Sequence, residues 1–253
     1  MGRIAQKVIP ALAEDYDLRL IDREAATLEG REVLATDITD YAAVRQVMEG
    51  VTSVVHLAIA SNRAFVTDVE KFEADEGDEY LRFNQATIDV NIRGTYNLVE
   101  AARAAGTKRI VYGSSLTVLL DHFPEPLRDD LPPRPINFYA VSKLWGEELG
   151  EYFSRRHGLL FYSLRFGAPH PQPHHYKYEG WLQDPFARAA FVTYPDIIGA
   201  VRCALVAEEP RYGCYSVVSA TEGDLIDTSK GREIGWQPGE FCHADGSITP
   251  ILS

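Results

Sequence analysis

Short apolar runs alternate along the chain with longer stretches that place an apolar residue every three or four positions. The first pattern reads as strand and the second as amphipathic helix. The first dozen residues carry Ile4, Val8, Ile9 and Leu12 at helical spacing. Residues 17–23 then read as a short strand with Asp22 and Arg23 at its end, and residues 32–38 as a second run ending in Asp37 and Ile38. A helix is predicted over 41–48, capped by Thr39 or Asp40 and stopped by Gly50. Residues 53–58 are apolar throughout, as a strand buried on both faces of a parallel sheet requires. Residues 83–105 predict a long helix closed by Gly106, with Ile88, Ile92, Tyr96, Leu98, Val99 and Ala102 as core candidates. The strand over 108–115 runs into Ser114 and Ser115. Prolines 124, 126, 132, 133 and 135 mark an irregular loop, and residues 139–156 predict the next helix. A buried strand over 159–167, a helix over 194–207 and a strand over 213–218 follow.

Two segments break the rhythm. Residues 62–79 hold Asp68, Glu70, Glu73, Asp75, Glu76, Asp78 and Glu79, which read as a solvated loop or helix face, with a lid over a substrate as the alternative. After residue 167, Pro169, Pro171 and Pro173 interleave with His170, His174, His175, Tyr176 and Lys177. Strand–helix alternation elsewhere predicts an α/β fold, a doubly wound, Rossmann-type parallel sheet with helices on both faces. Residues 1–167 with 194–218 would form the nucleotide-binding part, and the rest of 168–253 a small C-terminal substrate lobe. In such a unit a strand feeds a glycine-rich turn, then a helix, then a second strand ending in an acid. Here the second strand and its acid are present, but the turn is reduced to Gly2-x-x-Ala5 and the first strand is missing. The expectation is a chain that begins late within the fold.

Charge and composition narrow the function. Of 253 residues, 45% are hydrophobic and 25% charged, an ordinary globular balance. A formal net charge of −12 argues against nucleic acid as the main partner, though local backbone dipoles can still bind an anion. No apolar run approaches ~18 residues and no signal peptide is visible, so no membrane span is expected. Cys203, Cys214 and Cys242 lack metal-ligand spacing and read as reduced thiols of a cytoplasmic protein. The three loop histidines have no carboxylate partner in sequence, so no metal is expected.

The chemistry centres on Tyr139 and Lys143. Residues four apart share a helix face, so the phenol and the ammonium can enter one pocket. A phenol titrates near ~10, and a fixed cation beside it favours the phenolate. Ser115, at a strand end, can polarise a substrate oxygen beside the phenol. Asp22, Asp37, the 57–61 segment and Ser115 all follow strands directly, where open α/β sheets bind ligands. Asp22 can accept from a ribose diol and would repel a 2′-phosphate, which favours NAD over NADP, although Arg23 beside it could hold a phosphate.

In sequence order, Gly2-x-x-Ala5, Asp22, Asp37-Ile38, His56-Leu57-Ala58, Asn91-Ile-Arg-Gly-Thr, Ser114-Ser115, Tyr139-x-x-x-Lys143 and Leu164-Arg165-Phe166-Gly167 resemble the extended short-chain dehydrogenase/reductase family of NAD-dependent epimerases and dehydratases. The C-terminal part is most similar to the uronate dehydrogenases, through Pro171-x-Pro173 with Tyr176-Lys177 and through the run from Gly231 to Pro238. The resemblance implies Tyr139 as general base, with Lys143 lowering its pKa and binding the nicotinamide ribose. Ser115 would hold the reacting oxygen. It implies cofactor contacts from Gly2, Arg3, Ile4, Asp22, Arg23, Asp37, Ile38, Leu57, Ala58, Ile59, Ala60, Asn91 and Phe166, and substrate contacts from Ser61, Ser115, Leu116, Ala168 and Lys177. Leu116 stands where uronate dehydrogenases have Asn, Ala168 where they have a small hydroxyl residue, and Lys177 where an Arg grips the carboxylate. Lysine keeps the charge but loses the bidentate fork. The expected activity is NAD-dependent oxidation of a sugar or sugar acid by a homodimer. A nucleotide-sugar epimerase or dehydratase, or an NAD-binding protein without activity, are the alternatives.

Overall fold

The strands expected to be buried on both faces do pair in register. A computed structural model describes residues 1–60, 78–169, 185–223 and 225–251. Its first element is helix α1 (Arg3–Leu12), followed by β1 (Leu20–Asp22), β2 (Ala26–Leu28), β3 (Arg31–Ala35), α2 (Tyr41–Val47) and β4 (Ser53–His56). Helix α3 (Asp78–Thr87) passes through a π-helical turn (Ile88–Gly94) into α4 (Thr95–Ala105). Then come β5 (Arg109–Ser115), α5 (Phe138–His157), β6 (Leu160–Phe166), β7 (Ala168–Pro169), α6 (Pro185–Ala189), β8 (Phe191–Val192), α7 (Tyr194–Val206) and β9 (Tyr212–Val217). β10 (Ala220–Thr221), β11 (Glu240–Cys242) and β12 (Ile248–Pro250) close the described chain. None of the described helices is long and apolar enough to cross a membrane.

The main sheet is parallel, in the order β4-β5-β6-β9. β1 pairs in parallel with β3 in a separate sheet. Among the described residues no strand joins β1 to β4, so the doubly wound sheet is in two pieces. Val54 and Val55 of β4 are accordingly only half-buried. Side chains alternate across each strand. Val111, Tyr162, Leu164 and Tyr215 pack under α1 and α7 against Val8, Leu12, Ile197 and Val201. On the opposite face Ile110, Tyr112 and Phe161 meet Val44, Leu98, Val99 and Phe153 from α2, α4 and α5. Burying one such side chain contributes roughly 1.5–3 kcal/mol, against about 1 kcal/mol or less for surface pairs such as Arg128–Asp130. Packing on the two faces therefore decides the fold.

Caps follow the expected chemistry. Asp40, rather than Thr39, caps α2, its Oδ1 accepting from Ala42 N at 2.9 Å and Ala43 N at 3.2 Å. Asn137 caps α5 through Ala140 N at 2.8 Å. Three expectations need correction. Residues 26–35 form an antiparallel hairpin that the sequence pattern does not predict, turning on Glu29 and Gly30 with φ of 49° and 76°. Two positive φ values suit a tight hairpin, but glutamate is a poor sequence signal for one. The long helix predicted over 83–105 is interrupted by the π-helical turn. Ile88 and Tyr96, expected in the core, are 45% and 46% exposed, because that turn shifts which side chains face the sheet.

Helix α5 sits close to the sheet because it has no side chain at Gly146 or Gly150. A Cβ there would lie 2.4 Å from Tyr112 Oη and 2.2 Å from Phe161 Cδ1. Gly199, midway along α7, has nothing nearer than Trp236 Nε1 at 3.6 Å. Gly150→Ala is expected to lower unfolding free energy by roughly 1–3 kcal/mol through overpacking. Gly199→Ala should instead raise it by roughly 0.5–1 kcal/mol through helix propensity. Denaturant titration of the two variants checks both signs.

Candidate active site

The carboxyl ends of the parallel strands carry most of the expected site. β5 delivers Ser115, directly opposite Phe166 of β6. The Ser115 hydroxyl accepts from Thr117 N at 3.3 Å and Thr117 Oγ1 at 3.0 Å. The same hydroxyl lies close enough to the Tyr139 phenol to favour its ionised form. Lys143, one turn along α5, is 2% exposed and donates from Nζ to Gly113 O at 2.7 Å. Its Nζ lies 5.8 Å from the Tyr139 ring centroid and 4.9 Å from that of Tyr112. Buried Ser115 and Lys143 and half-buried Tyr139 thus gather at one place, built from a strand end and the first two turns of a capped helix.

The electrostatics of this cluster correct the simple expectation for it. Burial pushes the Tyr139 phenol up to about 12, opposed by its hydrogen bond with Ser115. Burial also pulls Lys143 down to about 7, opposed by the Glu147 carboxylate. Desolvation therefore outweighs the cation's pull on the phenol in the protein alone. His56, beneath the same site, is pulled down to about 3 by burial and then by the Lys143 charge, and shares a 2.9 Å hydrogen bond with Thr95 Oγ1.

Asn91, expected to contact cofactor, is bonded to protein on both sides of its amide. Its Oδ1 accepts from Ala60 N at 2.7 Å and its Nδ2 donates to Ser142 Oγ at 2.9 Å, while Ser142 Oγ donates to Tyr139 O at 2.7 Å. The amide braces the loop after β4 to helix α5 and keeps a second lone pair and a second N–H. Asp37 is similarly occupied: its Oδ1 accepts from Thr39 N and Thr39 Oγ1, both at 2.8 Å, and these bonds hold its carboxyl below its ordinary value. Ile38 is 8% exposed, and its carbonyl accepts from Asn97 Nδ2 at 3.0 Å. Leu116 packs into an apolar cluster with Ala190 and Val218, and Ala168 N donates to Ala190 O at 2.7 Å. Ser61, Lys177 and the histidines 170, 174 and 175 lie outside the described residues. Among the described residues, no group of three or more His, Cys, Asp or Glu could hold a metal.

The residues present fit a dinucleotide. Helix α1 opens on Gly2 with no side-chain cap and no acid in its first turn, and no atom lies within 4 Å of a Cβ built at Gly2. Its first backbone N–H groups, with Arg3 and Ile4, are thus free for a phosphate. Asp22 stands at the end of β1, 30% exposed and 3.1 Å from the Met1 nitrogen, and Arg23 turns away to Glu24 at 3.5 Å. Leu57, Ala58 and Ile59 keep accessible surface after β4, whereas Ala60 and Phe166 are buried. Sequence reasoning missed Glu147 and Asp129. Both are buried against Arg165, and a charge in the middle of the apolar run 159–167 was the signal that such partners must exist.

A family model described as NAD dependent epimerase/dehydratase matches residues 2–170. An L-arabinose 1-dehydrogenase (NAD(P)(+)) of Haloferax volcanii is 35% identical over 179 residues, which cover 66% of this chain and 63% of that protein. A uronate dehydrogenase of Agrobacterium fabrum is 30% identical over 248 residues, covering 96% of this chain and 82% of that protein. The crystal structure of a uronate dehydrogenase from Agrobacterium tumefaciens shares the fold, with a TM-score of 0.74 at 24% identity over 96% of this chain and 82% of that one.

The depressed His56 value has a consequence for stability. The folded protein refuses a proton that the unfolded chain binds, so stability is lost as pH falls below ~6.5 toward about 3. Between pH of about 7 and 5 this costs roughly 2 kcal/mol. His56→Gln should remove that share of the acid sensitivity, read as the difference between the denaturant midpoints of variant and wild type at the two pH values.

Proposed function

Since the chain belongs to the NAD-dependent epimerase/dehydratase family, we propose that it is a dehydrogenase oxidising a sugar or sugar acid, in the manner of the uronate dehydrogenases. The observation that carries this reading is the gathering of Ser115, half-buried Tyr139 and buried Lys143 at the carboxyl edge of the sheet. NAD, when bound, supplies the hydride acceptor. The first turn of α1 would hold its pyrophosphate and Asp22 an adenosine ribose diol, which favours NAD over NADP. Ser115 would orient the substrate hydroxyl and Tyr139 would take its proton. A phenol whose pKa burial raises ionises to the phenolate that can take a proton only with positive charge beside it, and the Lys143 ammonium lies one turn along the same helix.

The substrate class rests on the two dehydrogenases named above, one acting on a pentose and the other on uronates. Leu116 faces an apolar cluster, so it offers no polar contact to a substrate. This favours a monosaccharide that needs fewer hydrogen bonds than a uronate, although Lys177 could still meet a carboxylate.

NADH formation is measured with hexuronic acids, L-arabinose, other aldoses and polyols. At least one is expected to be turned over faster with NAD than with NADP. Tyr139→Phe should lower kcat by roughly 10²- to 10⁴-fold while NAD binding, read by calorimetry, is retained. Unchanged turnover in that variant would overturn the reading. Interconversion of a UDP-sugar without net NADH would point to an epimerase instead.

The same family reading supports a homodimer. Ile88 and Tyr96 on the α3–α4 run, and Val141 and Tyr152 on the neighbouring α5, are all between 40% and 47% exposed. A second copy covering this apolar stripe would remove it from water. Light scattering is expected to give twice the chain mass for the wild type and a monomer for Tyr96→Glu/Val141→Glu.

A further inference from the structure

Lys143 belongs to a larger buried charge cluster. One turn further along α5, Glu147 is 1% exposed. It accepts from Ser114 Oγ at 2.6 Å and from Arg165 Nε and Nη2 at 2.9 and 2.8 Å. Arg165 also reaches Asp129 Oδ1 at 3.3 Å. Asp129 in turn accepts from Ser216 N at 2.8 Å and Ser216 Oγ at 2.7 Å. The side chains of Glu147, Arg165 and Asp129 are each no more than 4% exposed.

Counting charge over this cluster gives a constraint. Two buried carboxyl groups face one guanidinium; burial pushes the Asp129 carboxyl up, opposed by Ser216 and Arg165, so the negative charge in excess of Arg165 is at most one. Two cations adjoin it: buried Lys143 on the Glu147 side and half-buried Lys230 on the Asp129 side. Among the groups around Lys143, Glu147, one turn further along α5 and bonded to Ser114 beside the Gly113 carbonyl that holds Lys143, is the carboxylate whose charge acts on it. From its own helix come Tyr139 and Glu147, from β5 the Gly113 carbonyl and the Tyr112 ring, and from β4 the neutral His56. Tyr212 and Cys214 of β9 lie beyond Glu147, and both are pushed toward their neutral forms by burial. Tyr139 and Tyr112 are likewise kept as phenols by burial.

We propose that Glu147, clamped by Arg165 and backed by Asp129, is a positioning residue that keeps Lys143 an ammonium and thereby sets the pH range in which the Ser115–Tyr139–Lys143 cluster works. The first half of this statement concerns the protein alone; the second rests on the dehydrogenase reading. Without Glu147 the burial of Lys143 would go unopposed, since the other groups around it are neutral or, like Arg165, cationic.

The test separates the two halves. Unfolding free energy is measured against pH for the full chain and for Lys143→Met, each with and without Glu147→Gln. Subtracting Lys143→Met from its parent isolates the Lys143 proton. A lowered folded pKa means that the unfolded chain binds the extra proton, so the Lys143 share of stability rises with pH from the folded value toward ~10.4. With Glu147 in place the rise should begin near pH 7, where burial has brought Lys143. With Glu147→Gln it should begin lower by about one pH unit. Glu147→Asp, which keeps the charge, should keep the onset even where it loses stability. Coincident onsets with and without the Glu147 charge would overturn the inference, and a uniform loss of stability at every pH would mean a structural role only.

Glu147→Gln leaves Arg165 a buried charge with one partner fewer, which can prevent folding. Asp129→Asn leaves the Glu147–Arg165 pair whole and should move the onset in the same direction by a smaller amount; no movement there overturns the inference in that case. If the wild type forms NADH, the alkaline limb of its kcat/KM profile should shift downward together with the onset in Glu147→Gln. A shifted onset in a wild type that forms no NADH with any sugar would keep the inference and sink the dehydrogenase reading.

Discussion

The Glu147–Arg165 ion pair is the contact on which the rest of the arrangement depends. It is bidentate and buried, and Ser114 donates a third hydrogen bond to the same carboxylate. Breaking such a pair by removing one partner is costly, because an uncompensated charge stays behind. Each end is anchored in a different element: Glu147 in α5, Arg165 in β6, Ser114 in β5, and Asp129 with Ser216 in the loop before α5 and in β9. One electrostatic unit therefore fixes a helix, three neighbouring strands and a loop together just beneath the residues assigned to chemistry. Hydrophobic burial supplies most of the stability, but it has little direction. The charged unit supplies direction.

Much of the fold was legible because the pattern had long periods to work with. The runs 53–58, 108–115 and 159–167 each hold a block of consecutive apolar residues, and they became β4, β5 and β6 of one parallel sheet. Tyr139 and Lys143 could be paired from spacing alone, since four residues on a helix share a face. What stayed hidden was set by tertiary contact. The hairpin at Glu29 and Gly30 lacks the usual turn dipeptide. The π-helical turn depends on where Asn91 finds partners, Ala60 and Ser142, which are 31 and 51 residues away. Periodicity counted straight through that turn placed Ile88 and Tyr96 in the core, whereas both face outward.

The site was legible in its parts and less so in its electrostatics. Sequence gave a phenol beside an ammonium and suggested that the cation controls the phenol. In the folded protein Lys143 is buried and Tyr139 half-buried, and each is pushed toward its neutral form by loss of water. Desolvation acts on every charged group, whereas the pull of one ion on another is limited to the pair. Whether Lys143 carries its charge is thus decided by residues a turn away and across the sheet, none of which belongs to the motif.

The two glycines of α5 have a further meaning in this light. Gly146 and Gly150 act as a gauge for the height of the helix above the sheet, since only atoms that are missing let it settle against Tyr112 and Phe161. Lys143 and Tyr139 are continuous with that contact, about one and two turns before Gly146. Reacting groups out of place by about 1 Å can slow a reaction on the order of a hundredfold. The volume of two positions with no chemistry of their own therefore calibrates the reach of the phenol.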